Sequence, residues 1–398
     1  MHDTILHAPA DISELSGKIT KTIGYYACFI ALGLVVASLG PTLTGLAEQT
    51  GTALSQVSFL FLARSTGYLT GSLLLGRLYD RVPGHPLMAG MLVVMAVTMA
   101  LVPLTPMLWV LIAILFILGI GEGTLDVGGN TLLARVHLHN LDPYMNALHF
   151  FFGVGAMLSP FIVVRVMAAS GGIAWAYWTL ALTIVPVAVW VAPLSSPRVQ
   201  AVSRDGTVKH GRPLFIVWIA ACFYLCVGAE AGFGGWIYTY AIRLGLADEI
   251  AAGDLTTAFW GALTLGRLLG IPMSARLRPR TILLVDLAGS LFSVGLIVTW
   301  PNSSAALWAG TVGGGLFVAT MFATLLNFAG RHMTITGRVT GWFFVGTSTG
   351  AMSIPWLIGQ FFEAAGPQAT MYIIGADLIL GLGVFWGLMR YAKRRGLS

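Results

Sequence analysis

Between Ile23 and Met389 the chain alternates apolar runs of about twenty residues with short polar turns, and no other feature restricts its fold so tightly. A helix of that length crosses the hydrocarbon core of a bilayer, because each residue adds about 1.5 Å to a core ~30 Å thick. In lipid, every backbone N–H and C=O must find its partner within the protein, which a helix achieves by itself. Composition removes the soluble alternative. Of 398 residues, 57% are hydrophobic and 10% are charged, whereas a soluble domain carries about 25% charged residues. Too few charges remain to clothe a surface in water. The 49 glycines fit the same reading, since small residues let membrane helices approach closely.

Placed on that length, helices are expected near 22–47, 54–77, 87–105, 108–134, 144–168, 174–193, 214–243, 255–275, 280–300, 305–329, 339–363 and 369–391. The fold class is therefore all-α: a membrane protein of about twelve transmembrane helices in two six-helix bundles. The expected organisation is a polar tail over 1–21, a first bundle over 22–193, a linker over 194–213, a second bundle over 214–391 and a tail over 392–398. The linker carries Arg198, Arg204, Asp205, Lys209 and Arg212. The first apolar run is longer than the ~7–15 residues of a signal h-region, so no cleaved leader is expected.

The net charge of +6 reflects topology, not a nucleic-acid partner. Lys and Arg are retained on the cytoplasmic side. With the N-terminus inside, Lys18, Lys21, Arg77, Arg81, Arg135, the linker bases, Arg276, Arg278, Arg280, Arg331, Arg338, Arg390, Lys393, Arg394 and Arg395 all fall inward. Glu48, Asp248, Glu249, Asp254 and Glu363 fall outward. Both termini are then cytoplasmic, in a bacterial inner membrane. Cys28, Cys222 and Cys226 lie within apolar runs and read as buried small hydrophobes. The halves repeat: Gly155-Ala156-Met157 with Pro160 recurs as Gly350-Ala351-Met352 with Pro355, which places the fifth helix on the eleventh.

The turn after the second helix runs Gly76-Arg77-Leu78-Tyr79-Asp80-Arg81-Val82-Pro83-Gly84-His85. It resembles the loop signature of the major facilitator superfamily, with Gly76, Asp80, Arg81 and Gly84 as a gating motif. The second-half counterpart, Gly270 through Arg280, has Ser274 where the acid would stand. Gly40-Pro41, Glu230 with Gly235-Trp236, and Phe259-Trp260-Gly261 with Leu265-Gly266-Arg267 are similar to the branch of fucose permeases and sodium-dependent glucose transporters. The resemblance implies a symporter that moves sugars or similar polar solutes by alternating access. The fucose permease pattern has an acid in the first helix, and Ile23 to Gly45 contains none. Coupling must use another position.

Ionisable residues in mid-membrane are costly and need a partner or a purpose. Glu122, Asp126 and Asn130, spaced by four, form a stripe about 12 Å long on one helix face. They can exchange a proton or ligate Na+; the plainer reading is a structural ladder against the second helix, with Arg64. Glu230 precedes Gly232, Gly234 and Gly235, and with Trp236 it suits a sugar, whose C–H face stacks on aromatic rings. Trp236 could instead belong to an interfacial aromatic belt. His149, Trp260, Asn327 and Trp342 are further candidate substrate contacts, against packing or local hydrogen bonding. Arg64 and Arg267 either neutralise the acids or bind an anionic solute. Asp377 reads as structural, and Asp286 as a partner of Arg278 or Arg280.

No HExxH, GxSxG or P-loop occurs and no metal-ligand set appears, so an enzyme is not expected. The only cofactor implied is a coupling ion, H+ or Na+. The partners are a small-molecule substrate and the lipid bilayer, and a monomer suffices. An organic-anion transporter and an amphiphile or drug exporter remain as alternatives.

Overall fold

A computed structural model describes residues 12–138, 141–197, 213–334 and 337–394, with side chains beyond residue 15 and outside 337–338. The linker bases Arg198, Arg204, Lys209 and Arg212 and the tail residue Arg395 lie outside the described residues, as does the side chain of Arg338. The described residues form helices and turns with no strand, arranged as twelve passes. Helix 1 is Ile12–Val36 continued by Leu39–Thr50. Helix 2 comprises Leu54–Val57 and Phe59–Thr70, then a π turn Gly71–Leu75 and a 3-10 turn Gly76–Asp80. Helix 3 is Gly84–Leu101, helix 4 Leu108–Val136, helix 5 Leu141–Ser170 and helix 6 Ile173–Val191. Helix 7 is Pro213–Arg243, helix 8 Glu249–Arg276, helix 9 Pro279–Thr299, helix 10 Ser304–Val318 with Met321–His332, helix 11 Gly337–Phe362 and helix 12 Ala369–Arg394. The chain thus has an all-α membrane fold.

Helix 8 begins at Glu249, ahead of the expected 255, and two larger differences concern helix 1. Helix 1 begins at Ile12, inside the stretch expected as a tail, because a helix can continue past its apolar stretch into polar turns. Helix 1 also breaks at Ala37-Ser38. Pro41 lacks the N–H that would bond the carbonyl of residue 37, so the ladder restarts there.

Among the described residues, nine passes are long and apolar enough to cross a membrane on their own; helices 2, 8 and 11 are not among them. Helix 2 is broken into short segments, and packing accounts for helices 8 and 11. Helix 8 lies against helix 5 and helix 11 against helix 2, across the seam between the halves. A helix facing the other half sees less lipid and tolerates polar residues. Elsewhere the exposed side chains are large and apolar, such as Trp109, Val189 and Phe292, as a lipid-facing surface requires.

The repeat is visible in the packing. A Cβ on Gly155 would lie 2.1 Å from the Ile30 carbonyl oxygen of helix 1, and one on Gly350 2.0 Å from that of Tyr224 in helix 7. The pair Gly119 against Arg64 O recurs as Gly315 against Phe259 O, at 2.0 and 2.3 Å. Corresponding helices therefore touch backbone to backbone at corresponding glycines.

The seam is closed at the face away from the chain ends. There Arg165 pairs with Asp254 at 2.8 Å. Gln360 Nε2 donates to Ser55 O at 2.8 Å and to Ser58 Oγ at 3.0 Å, and Glu363 Oε1 accepts from Leu54 N at 3.1 Å. Toward the face that carries the chain ends, helix 8 comes free: no residue from Arg267 to Arg276 is buried.

Candidate functional site

The polar side chains of mid-membrane gather at two places, one in each half. In the first, Arg64 of helix 2 holds Glu122 of helix 4 in a fork. Nη2 is 2.7 Å from Oε1 and Nε is 2.9 Å from Oε2. Its remaining arm, Nη1, donates to the Val36 carbonyl at 2.9 Å. That carbonyl is the last of the first segment of helix 1, freed by the break. Glu122 is 2% exposed and Arg64 11%. One turn along, the Tyr68 hydroxyl donates to Asp126, and Asn130 Nδ2 donates to Asp126 Oδ1 at 3.1 Å and to its carbonyl at 2.9 Å. Residues four apart on one helix meet residues four apart on the other, as i, i+4 geometry dictates. Gly119 and Gly123 allow the approach, since a Cβ on either would lie about 2 Å from the carbonyl oxygens of Arg64 and Tyr68.

The two acids are satisfied differently. Glu122 has a full countercharge. Asp126 has only neutral donors, so its charge is solvated but not cancelled. Tyr68 is the residue that sequence reading missed. Its spacing of four from Arg64, opposite two acids spaced by four, was the available signal.

In the second half, Arg267 of helix 8 approaches Glu230 of helix 7 at 3.7 Å, beyond hydrogen-bond range. Both are partly open, at 25% and 17% exposure. The guanidinium lies 5.8 Å from the Phe152 ring centroid of helix 5, across the seam. Phe152 is the neighbour of Gly153, against which Thr264 of helix 8 packs. Glu230, Arg267 and Phe152 thus surround the seam just where helix 8 begins to open.

The other candidates are dispersed. His149 is half-buried, edge-on to Phe29 at 5.9 Å. Trp260 is 6% exposed, stands against Gly234 and Phe259, and its Nε1 has no hydrogen-bond partner among the described residues. Trp236 is fully buried between Phe61 and Phe362 and donates to Pro355 O at 2.9 Å. In this arrangement it belongs to the closure of the far face and not to an open cavity. Asn327 is exposed and accepts from Arg331 Nε at 3.0 Å; Trp342 is 52% exposed. Asp286 does not pair with Arg278 or Arg280. It is buried and accepts from Thr320, because helix 9 turns that face toward helix 10.

In the motif turn, Asp80 pairs with Arg135 at 2.7 Å, and Arg135 also donates to Tyr79 O at 2.8 Å. Gly76 and Gly84 stand against Val127 and Leu132 of helix 4, while Arg81 is exposed. The turn is thereby tied to the end of helix 4. Nearby His137, just past that helix, bonds Thr22 at 2.7 Å and stacks on Tyr144; burial and the Lys18 charge hold its pKa below the ordinary histidine value.

The sequence profile of the Major Facilitator Superfamily matches residues 25–253. Sodium-dependent glucose transporter 1 of Danio rerio is 30% identical over 84% of this chain, which spans 63% of that protein's length. Sodium-dependent glucose transporter 1A of Mus musculus is 29% identical over 84% of this chain and 88% of its own. Major facilitator superfamily domain-containing protein 4A of Homo sapiens is 24% identical over 90% of this chain and 89% of its own. Among solved structures, the nucleoside transporter NupG superposes with a TM-score of 0.70 at 11% identity, covering 94% of this chain and 98% of its own. Tetrameric PepTSo2 gives 0.72 at 11% identity, covering 96% of this chain and 100% of its own.

Proposed function

Because this chain belongs to the Major Facilitator Superfamily, a family of transporters and not of enzymes, we propose that it is a symporter for a small neutral polar solute, best a hexose or related sugar. It works by alternating access and is coupled to Na+ or H+. The observation that carries this reading is an acid–arginine contact within each half, beside a seam that is closed at the face away from the chain ends. A solute held between halves is handed across when they rock around it, so each half must offer contacts.

Neutral solute is favoured because Arg64 is already engaged by Glu122 and Val36 O, leaving little positive charge for an anion. Glu230, partly open beside Phe152, offers a hydroxyl acceptor and an apolar ring. The relatives named sodium-dependent glucose transporters support a sugar, and Na+ over H+. Lys and Arg gather at the face with the chain ends, which is the cytoplasmic side by the retention rule. On this reading the arrangement is inward-open, both termini are inside and a monomer suffices.

A second reading rests on Arg267. At 3.7 Å from Glu230 and 25% exposed, its guanidinium can take an anionic group. Uptake into proteoliposomes, with Na+ and pH gradients imposed separately and panels of sugars and organic acids, decides between them. Gradient-driven uptake of a neutral sugar is expected, and Glu230→Gln should weaken its binding by about 1–3 kcal/mol, the cost of a lost hydrogen bond to a charged acceptor. Uptake of organic acids alone, lost in Arg267→Ala, would reverse the choice.

A further inference from the structure

The core of the second half holds more negative charge than its own side chains neutralise. Helix 7 has Glu230 as its one charged residue between Pro213 and Ile242, and helix 9 has Asp286 between Ile282 and Thr299. Helix 10 between Ser304 and Gly330 and helix 11 between Val339 and Phe362 have none. Helix 12 has Asp377 between Ala369 and Met389. The one base that helix 8 brings to mid-membrane, Arg267, leans on Glu230. Asp286 and Asp377 have no basic residue on these stretches.

Their surroundings differ. Asp286 accepts a hydrogen bond from Thr320. Asp377 is 3% exposed, and neither of its oxygens has a hydrogen-bond partner among the described residues. Ser290, one turn beyond Asp286, is 1% exposed with its hydroxyl likewise unbonded. One turn from Asp377, Gly381 packs against Leu225 of helix 7 and Leu287 of helix 9, so this side of helix 12 meets the seam between those helices. Cys226 on helix 7 lies within electrostatic reach of Asp377, Asp286 and Glu230. Among the described residues, the charged groups that reach Cys226, which borders Asp377, are acids, and none is a base.

An isolated carboxylate removed from water and from any countercharge carries a penalty of several kcal/mol, so such a group takes a proton or a metal ion. We propose that Asp377 is a monovalent-cation site in the core of the second half, filled by a proton or by sodium, separate from the ladder on helix 4. It lies behind helix 7, away from the solute seam, and its cation supplies the charge that the protein lacks. The inference rests on the transport reading only for which cation is relevant.

The test uses the full-length chain in detergent without solute, comparing infrared difference spectra of the wild type and Asp377→Asn. If a proton fills the site, the wild type shows the C=O stretch of a carboxylic acid. That band shifts in deuterated buffer, ignores the exchange of KCl for NaCl, and disappears in the variant. If sodium fills it, a carboxylate band shifts when NaCl replaces KCl, and the variant loses the shift. Either result supports the site. Spectra in which neither signal differs between wild type and variant would overturn it. Should Asp377→Asn fail to fold, Asp377→Glu keeps the carboxyl group and displaces either band, giving the same decision. Failure of sugar uptake in proteoliposomes would leave this result standing, since no solute is present.

Discussion

Four of the buried or partly buried acids are handled in four ways: Glu122 by a forked arginine, Asp126 by neutral donors, Glu230 by a distant arginine, and Asp377 by no described residue. The difference assigns the acids on helix 4 separate roles. A carboxylate with a full countercharge gains little from a cation, whereas one held by a hydroxyl and an amide still offers its charge. We propose Asp126 as the coupling acid for that reason. Asp126→Asn should abolish gradient-driven uptake while sparing counterflow, which exchanges solute without net ion movement. Glu122→Gln should lose both, because it strands the Arg64 charge, a change that typically costs about 3–5 kcal/mol of stability. Thermal unfolding in detergent separates the two: a large drop for Glu122→Gln and a small one for Asp126→Asn. Equal, full gradient-driven uptake in both variants would remove the assignment.

At the level of elements, helix 2 and helix 4 meet backbone to backbone, and the polar ladder depends on that distance. A Cβ at position 119 would stand 2.0 Å from the Arg64 carbonyl oxygen, an atom that cannot move without its helix. Gly119→Ala should therefore lower the unfolding temperature and impair transport. Gly90→Ala in helix 3 meets nothing within 4 Å and should be neutral or stabilising by about 0.5–1 kcal/mol, the intrinsic gain of alanine over glycine in a helix. The turn after helix 2 is a second element with its own test. Asp80 is tied to Arg135 at the end of helix 4, remote from the mid-membrane contacts. Asp80→Asn should slow turnover and leave solute affinity within a few-fold. A large loss of affinity at normal turnover would make it a binding residue.

For the whole molecule, the closed face is held by a small set of contacts between halves: Arg165 with Asp254, Gln360 with Ser55 and Ser58, and Glu363 with Leu54 N. If the halves rock as proposed, these contacts must break together. A disulfide between cysteines placed at Ser55 and Gln360 should form readily, stop transport, and be reversed by reductant. Failure to cross-link, or transport that continues with the bridge formed, would show that this face does not open in the cycle.

The sequence by itself determined the solvent, the helical fold and the repeat. Poverty of charge and twenty-residue apolar runs leave a helical bundle in lipid as the solution that bonds every backbone group. The recurrence of Gly155 as Gly350 marks equivalent close contacts, because only glycine fits a carbonyl at 2 Å. Spacing also put Glu122, Asp126 and Asn130 on one face. Which acid meets which partner was decided by tertiary structure. Arg64 and Glu122 lie 58 residues apart, and their contact depends on how two helices are rotated against each other. The same holds for Trp236, whose neighbours Phe61 and Phe362 come from other helices and bury it completely. It holds for Asp377 as well, where burial and the lack of a partner among the described residues follow from what helices 7 and 9 present to it. Local periodicity fixes the face of a helix, but the energy of a charge in a membrane is set by neighbours that the chain supplies from far away.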